Sequence, residues 1–199
     1  MYRLAARAIL CSTLILLAAC ASTPASQFYT LSAAATPGAP PSRLSVVVGP
    51  VSVPASVDRP EFVVTQGPNQ VRLDEFHRWA APLQDEIARA VAENLVLMLG
   101  TPNVTLSSQM LGASAQYRAV IEVQKFVSTP GEGTTLDAIW NVRRVKDGKS
   151  ETGRTALHET VHQQGYEALV AAHSRAITRL SQDIANAVRA LNRLSPHGR

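Results

Sequence analysis

Two hydrophobic periods alternate along the chain from Leu44 onward. Leu44-Ser45-Val46-Val47-Val48-Gly49-Pro50-Val51 is a β-branched run with few polar breaks, as in a buried strand. Residues 61–66 and 70–74 flank Gly67-Pro68-Asn69 and read as a hairpin with a slightly longer loop. The period then lengthens to that of a helix: Leu83, Ile87, Ala90, Val91, Asn94, Leu95 and Met98 recur three or four apart. Pro82 suits the first turn of this helix, Asp85 and Glu86 complement its amino end, and Gly100 followed by Pro102 stops it. Strands are expected next at about residues 103–107, 117–127 and 136–145. In the second, Ala119, Ile121, Val123 and Lys125 alternate with Val120, Glu122, Gln124 and Phe126, a mixed pattern that does not choose a buried face. Lys146-Asp147-Gly148-Lys149 marks a turn before a strand from about Thr155 to His162. The last element is a helix from about Tyr166 to Leu194, with an apolar stripe of Leu169, Ile177, Leu180, Ile184, Val188 and Leu191 that includes His173. His173 reads as a half-buried helix histidine. The order strand, hairpin, helix, strands, helix implies one α/β domain over residues 44–195, a mixed sheet covered by two helices.

Ahead of this domain the pattern changes twice. Arg3 and Arg7 precede about a dozen mostly apolar residues, Ala8 to Ala19, in the charged, apolar and small-residue order of a secretory signal. The run is shorter than the roughly 20 residues of a membrane span. Leu17-Ala18-Ala19-Cys20 resembles the bacterial lipobox, which makes residues 1–19 a lipoprotein signal peptide and Cys20 the acylated first residue of the mature chain. Ala21 rather than an aspartate follows the cysteine, so the expected address in a two-membrane bacterium is the periplasmic leaflet of the outer membrane. Residues 20–43 are rich in Ala, Ser, Thr and Pro and read as a lipidated tether, apart from Phe28-Tyr29-Thr30-Leu31, a strand-like patch expected to dock.

Charge and cysteine content then exclude several chemistries. Loss of the signal removes Arg3 and Arg7 and lowers the formal net charge of +4 by two. No basic cluster is interleaved with aromatics, so nucleic acid is not an expected partner. Cys11 lies in the signal and Cys20 is expected to be acylated, which leaves no thiol for a disulfide or a thiolate catalyst. His158-Glu159-Thr160-Val161-His162 matches the zinc-protease pattern H-E-x-x-H. A shared metal requires a helix, where residues four apart lie about 6 Å from each other. On a strand the same spacing is about 13 Å. Thr155, Thr160 and Val161 favour a strand, and Ala168 stands where the extended motif places its third histidine. A zinc hydrolase is therefore the least favoured reading, and neither metal nor cofactor is expected.

Phe28-Tyr29-Thr30-Leu31 after the cysteine, Val57-Asp58-Arg59-Pro60-Glu61 after the first strand, and Arg78-Trp79-Ala80-Ala81-Pro82-Leu83 opening a helix that holds Ala92-Glu93-Asn94-Leu95 form an ordered set. With these motifs the chain resembles the ABC-type transport auxiliary lipoproteins, the group that includes paraquat-inducible protein C. The resemblance implies a three-layer α/β/α domain with a mixed, mostly five-stranded sheet, similar to the amino-terminal domain of TolB. It also implies a non-enzymatic role as an outer-membrane anchor or docking point. The implied partner is an MCE-domain protein with its ABC transporter, in a system moving lipid or other hydrophobic molecules, and self-association is compatible with such a role. A structural or assembly lipoprotein of the outer membrane is the alternative. Asp58, Arg59 and Pro60 could form a rigid charged turn, and Trp79 with Pro82 could set the angle of the helix. With Arg78, these six residues are the candidate partner interface, because aromatic and arginine side chains are the usual interface anchors.

Overall fold

The computed structural model describes residues 24–108 and 114–194; the expected signal segment and Cys20 lie outside the described residues. In chain order the elements are β1 (Gln27–Tyr29), β2 (Val46–Ser52), β3 (Glu61–Gly67), β4 (Gln70–Trp79), α1 (Leu83–Leu99), β5 (Val104–Leu106), β6 (Tyr117–Thr129), β7 (Gly133–Arg144), β8 (Ser150–Thr160) and α2 (Tyr166–Arg193). They build a five-stranded sheet of order β5-β2-β6-β7-β8 and a three-stranded sheet of order β1-β4-β3. In the large sheet β2 runs parallel to β5 and β6, while β7 is antiparallel to both β6 and β8, so the sheet is mixed.

The β-branched run of β2 is an interior strand between β5 and β6, as its lack of polar breaks implies: Val46, Val47 and Val48 are fully buried. Pro50 has no N–H for the ladder, and the register slips there, between Val48 and Val51. The mixed pattern of β6 has a similar cause. Ala119, Ile121 and Val123 face the core, an irregularity between Val123 and Lys125 then shifts the register, and Phe126 and Ser128 become the buried side chains. One extra residue thus moves the apolar positions from odd to even numbers without changing the face they cover.

The α/β class and the mixed five-stranded sheet are as expected. The layering is simpler than a helix layer on each face. Helix α1 packs on β2 and β5, α2 packs on β6, β7 and β8, and the two helices pack against each other. The opposite face of the sheet carries the exposed residues Arg118, Glu122, Ile139 and Arg143. Small residues line the side of α2 that meets α1: Ser174, Ser181 and Ala185 are buried there, and Thr178 donates to Asn94 of α1 at 3.3 Å. Ser181 satisfies its hydroxyl internally by donating to the Ile177 carbonyl at 2.8 Å. Gly100 ends α1 in the left-handed conformation at φ 62°, and a Cβ there would overlap the backbone of Pro40.

That contact shows what the expected tether does. Residues 24–43 run as an ordered strap along α1 and α2. Leu31 is buried, its N–H donates to Glu86 Oε2 at 2.8 Å, and its carbonyl accepts from Arg89 at 2.5 Å. The Ser32 and Ala34 N–H groups donate to Ser174 and Thr178 of α2, and the Ala35 N–H donates to Asn94 of α1. Ser42 closes the strap on the last carbonyls of α1 and on Gly100. A segment poor in apolar residues is ordered here because helix side chains supply acceptors for its backbone donors.

Candidate functional site

The amino-terminal strap, the small sheet and the start of α2 meet in one aromatic cluster. Parallel pairing of β1 with the end of β4 sets Tyr29 beside Trp79, and antiparallel pairing of β3 with β4 sets Phe62 beside Asp74. Phe62 stacks on Trp79 at 4.8 Å and meets Tyr166 edge-on at 5.2 Å, while His77 stacks on Tyr166 at 3.9 Å. The hub of this cluster is a carboxylate. Asp74 accepts from Tyr166 at 2.5 Å and Arg72 at 2.8 Å, lies 2.9 Å from His77 Nδ1, and accepts from the backbone N–H of Phe76 and His77 at 3.1 Å. Burial opposes its charge, but the donors led by Tyr166, His77 and Arg72 outweigh that cost and hold the carboxyl well below the usual carboxylate range. For Tyr166, burial and then its bond to Asp74 push the phenol above its usual range.

Trp79 and Phe126 extend the cluster to His173, whose ring stacks on Phe126 at 3.8 Å. His173 is fully buried and shares a 2.8 Å hydrogen bond with Ser128, and burial pushes its pKa down to about 3. A serine and a neutral histidine at this distance suggest a nucleophile and its base. The rest of the arrangement does not: Ser128 is itself buried, and His173 Nδ1 has no partner among the described residues to orient the ring. The pair joins β6 to α2 and performs no evident chemistry. The apolar stripe of α2 made this histidine visible in the sequence, but as a half-buried residue. Its complete burial and its link to Ser128 depend on the register shift in β6.

Between β3 and the second half of β6 lies a groove of about 350 Å³, lined by Val57, Val63, Val71, Phe126 and the loop residue Pro54 among others. It widens toward the β3–β4 turn into a cleft of about 1100 Å³ bordered by Gly67, Pro68, Asn69, Thr129 and Pro130. These spaces are open and mostly apolar at the narrow end, which suits contact with another molecule better than bond-making.

The six interface candidates come from two separate stretches that the fold brings together. The Trp79 N–H donates to the Pro60 carbonyl at 2.8 Å, and Arg78 pairs with Glu61 at 3.2 Å. Asp58, Pro60 and Pro82 are exposed, and Arg59 and Arg78 are half-buried. Trp79 is different: at 5% exposure it belongs to the core and is not available as an anchor. The residue before a helix that carries an aromatic ring gives no sequence signal of which way the ring points. Arg59 keeps a buried Nε without a partner among the described residues.

His158 and Glu159 lie on β8, a strand, so the spacing that a shared metal needs is not met. His158 contacts Thr135 at 3.1 Å, Glu159 is paired with Arg175 at 3.0 Å, and His162 lies beyond the strand. Among the described residues no three His, Cys, Asp or Glu side chains are grouped to hold a metal, and no helix is long and apolar enough to cross a membrane.

Residues 29–185 match the family described as the ABC-type transport auxiliary lipoprotein component. The chain belongs to this family. Among solved structures, this auxiliary lipoprotein is similar to protein XCC0632 from Xanthomonas campestris, at 16% identity and a TM-score of 0.67, over 84% of this chain and 99% of that one. It is also similar to an uncharacterized protein, at 20% identity and a TM-score of 0.66, over 82% of this chain and 98% of that one. Identities this low establish the shared fold alone. Among curated proteins none matches the sequence. The family match begins at Tyr29 and ends at Ala185, so the auxiliary-lipoprotein region takes in the docked strap, both sheets and most of α2.

Proposed function

We propose that this auxiliary lipoprotein is acylated at Cys20 and held on the periplasmic face of the outer membrane. There it anchors or docks an MCE-domain protein of an ABC-type system that moves lipid or another hydrophobic compound, with no catalytic step of its own. The family match across residues 29–185 carries the reading, since it names transport and lipid attachment for the fold as a whole. Two features of the chain support it. Leu17-Ala18-Ala19-Cys20 supplies the acylation signal, and a doubly or triply acylated cysteine holds a membrane where one chain would not. Exposed Asp58 and Pro60 with the half-buried Arg59, tied to the end of β4 by the Trp79–Pro60 hydrogen bond, and the exposed Pro82 at the start of α1 offer a polar, proline-stiffened docking surface.

The test is crosslinking in cells from a photoreactive side chain placed at Asp58 or at Pro82, with Cys20 intact. Capture of an MCE-domain protein or its ABC transporter is expected, together with release from the membrane in Cys20→Ala. Capture confined to outer-membrane assembly or cell-wall proteins would reassign the protein to envelope construction.

A further inference from the structure

Side chains on the three-stranded sheet alternate between two unlike faces. Tyr29, Phe62 and Trp79 point inward to the aromatic cluster. The register places Phe28, Arg78 and Glu61 together on the outer face, then Leu73 opposite Val63 and Val71 opposite Thr65. Phe28 is 64% exposed, Val71 58% and Leu73 42%. These are three of the six large exposed hydrophobic residues among the described ones, and the other three, Ile139, Val145 and Leu194, lie apart from this sheet. Scattered exposed apolar residues need no explanation, but neighbours on one face of a small sheet do.

The occupant of that face follows from where the chain comes from. Phe28 lies on β1, the first strand, eight residues after Cys20. An extended chain of that length spans no more than about 30 Å, so an acylated Cys20 keeps this sheet within one domain's width of the bilayer. At that separation the lipid surface is present at high effective concentration, and a weak apolar contact suffices to orient the domain. The Arg78–Glu61 pair stands beside Phe28 at the strand ends, so a partly exposed ion pair borders the apolar residues of this face.

We propose that the outer face of the small sheet, Phe28 with Leu73, Val63 and Val71, rests on the membrane that Cys20 enters. The inference depends on acylation of Cys20 as proposed above. It makes the lipid anchor one of two membrane signals and fixes which end of the domain faces the periplasm. The far end is then the β7–β8 turn, where Arg144 donates to the Leu191 carbonyl at the end of α2. Helix α2 has 28 residues, which separates that turn from the aromatic cluster by about 40 Å.

The test uses the lipidated full-length protein floated on vesicles of phosphatidylethanolamine and phosphatidylglycerol with brominated acyl chains. Phe28→Trp and, at the far end, Val145→Trp report contact, since both positions are exposed and the native Trp79 and Trp140 are buried. Loss of emission from Phe28→Trp above the parent background, with none from Val145→Trp, is the expected result. Flotation with Phe28→Trp unquenched, or with both positions quenched alike, overturns the proposal while leaving the anchor in place. A blue shift of Phe28→Trp that grows with protein concentration without vesicles assigns the face to a second copy and also overturns it. The anchor is read separately by flotation of Cys20→Ala: loss supports acylation, whereas unchanged flotation removes acylation and this proposal with it.

Discussion

The two sheets are closed by different chemistry. The inner face of the five-stranded sheet is mostly aliphatic, with Val46, Val48, Ile121, Leu136 and Val142 buried under Leu95, Ile177, Leu180, Ile184 and Val188, and Tyr117 and Trp140 filling in beside them. Its outer face is polar and paired: Arg154 reaches Asp137 at 2.5 Å, and Asn141 donates to Thr152 at 2.7 Å. The three-stranded sheet inverts this. Its inner side is organised around a charge, Asp74, ringed by Tyr166, His77 and Arg72, and its outer side is apolar through Phe28, Leu73 and Val71. Aliphatic burial is indifferent to pH and needs no partner. A carboxylate hub depends on its ionisation, and an uncovered apolar face gains from contact. The large sheet therefore serves stability, and the small one is where the chain responds to its surroundings.

The comparison can be broken most forcefully at Trp79. If it is core, Trp79→Ala should cost about 3–5 kcal/mol, as a large-to-small aromatic change does, and lower the urea midpoint sharply. An unchanged midpoint with loss of partner capture would instead return Trp79 to the interface. Asp74→Asn comes next, with an expected cost of about 1.5–3 kcal/mol at neutral pH because charged hydrogen bonds are lost at a buried site. Its pH dependence sharpens the contrast. The folded carboxyl titrates below the unfolded value of about 4, so its stabilisation is complete above that value and is lost as pH falls toward and through the folded one. Denaturation midpoints measured into acid should fall less steeply in Asp74→Asn than in the parent; parallel curves would remove Asp74 as the hub.

In the large sheet, Gly153 is opposite Trp140, and a Cβ there would overlap the indole ring. The ring also donates from Nε1 to Thr155 at 3.1 Å, which limits its freedom to move aside. Gly153→Ala should cost about 1–3 kcal/mol by overpacking, read as a lower thermal midpoint with no change in its pH dependence. The smallest effect is expected at Arg78, whose pair with Glu61 is partly exposed. Arg78→Ala should shift stability by less than about 1 kcal/mol. A larger loss in denaturant would make the outer face of the small sheet structural, contrary to the role given to it here.

Long elements with one clear period were legible in the chain. The stripe from Leu169 to Leu191 is α2, Pro82 and Gly100 bracket α1, and the β-branched run at Val46 is an interior strand. Lys146 to Lys149 marked a turn, although β8 begins at Ser150, earlier than expected, because Trp140 and Asn141 extend the ladder onto Gly153 and Thr152. His158, Glu159 and Thr160 of the H-E-x-x-H stretch lie on a strand, as its β-branched residues imply, whereas Val161 and His162 lie past its end, short of the expected boundary.

Other features were decided only by residues distant in sequence. The strap from Pro24 to Arg43 has too few apolar side chains to order itself, and its conformation comes from Glu86, Arg89, Asn94, Ser174 and Thr178 on two helices. The buried face of β6 depended on one extra residue after Val123, which a periodicity cannot place. Asp74, His77 and Tyr166 carry no local pattern that links them, since their hydrogen bonds form only when β4 meets the start of α2. Local propensity and periodicity act over a few residues and so define elements and their ends. Which face is sealed by aliphatic packing, which by a charge, and which is left open is a matter of long-range pairing, and only the tertiary structure settles it.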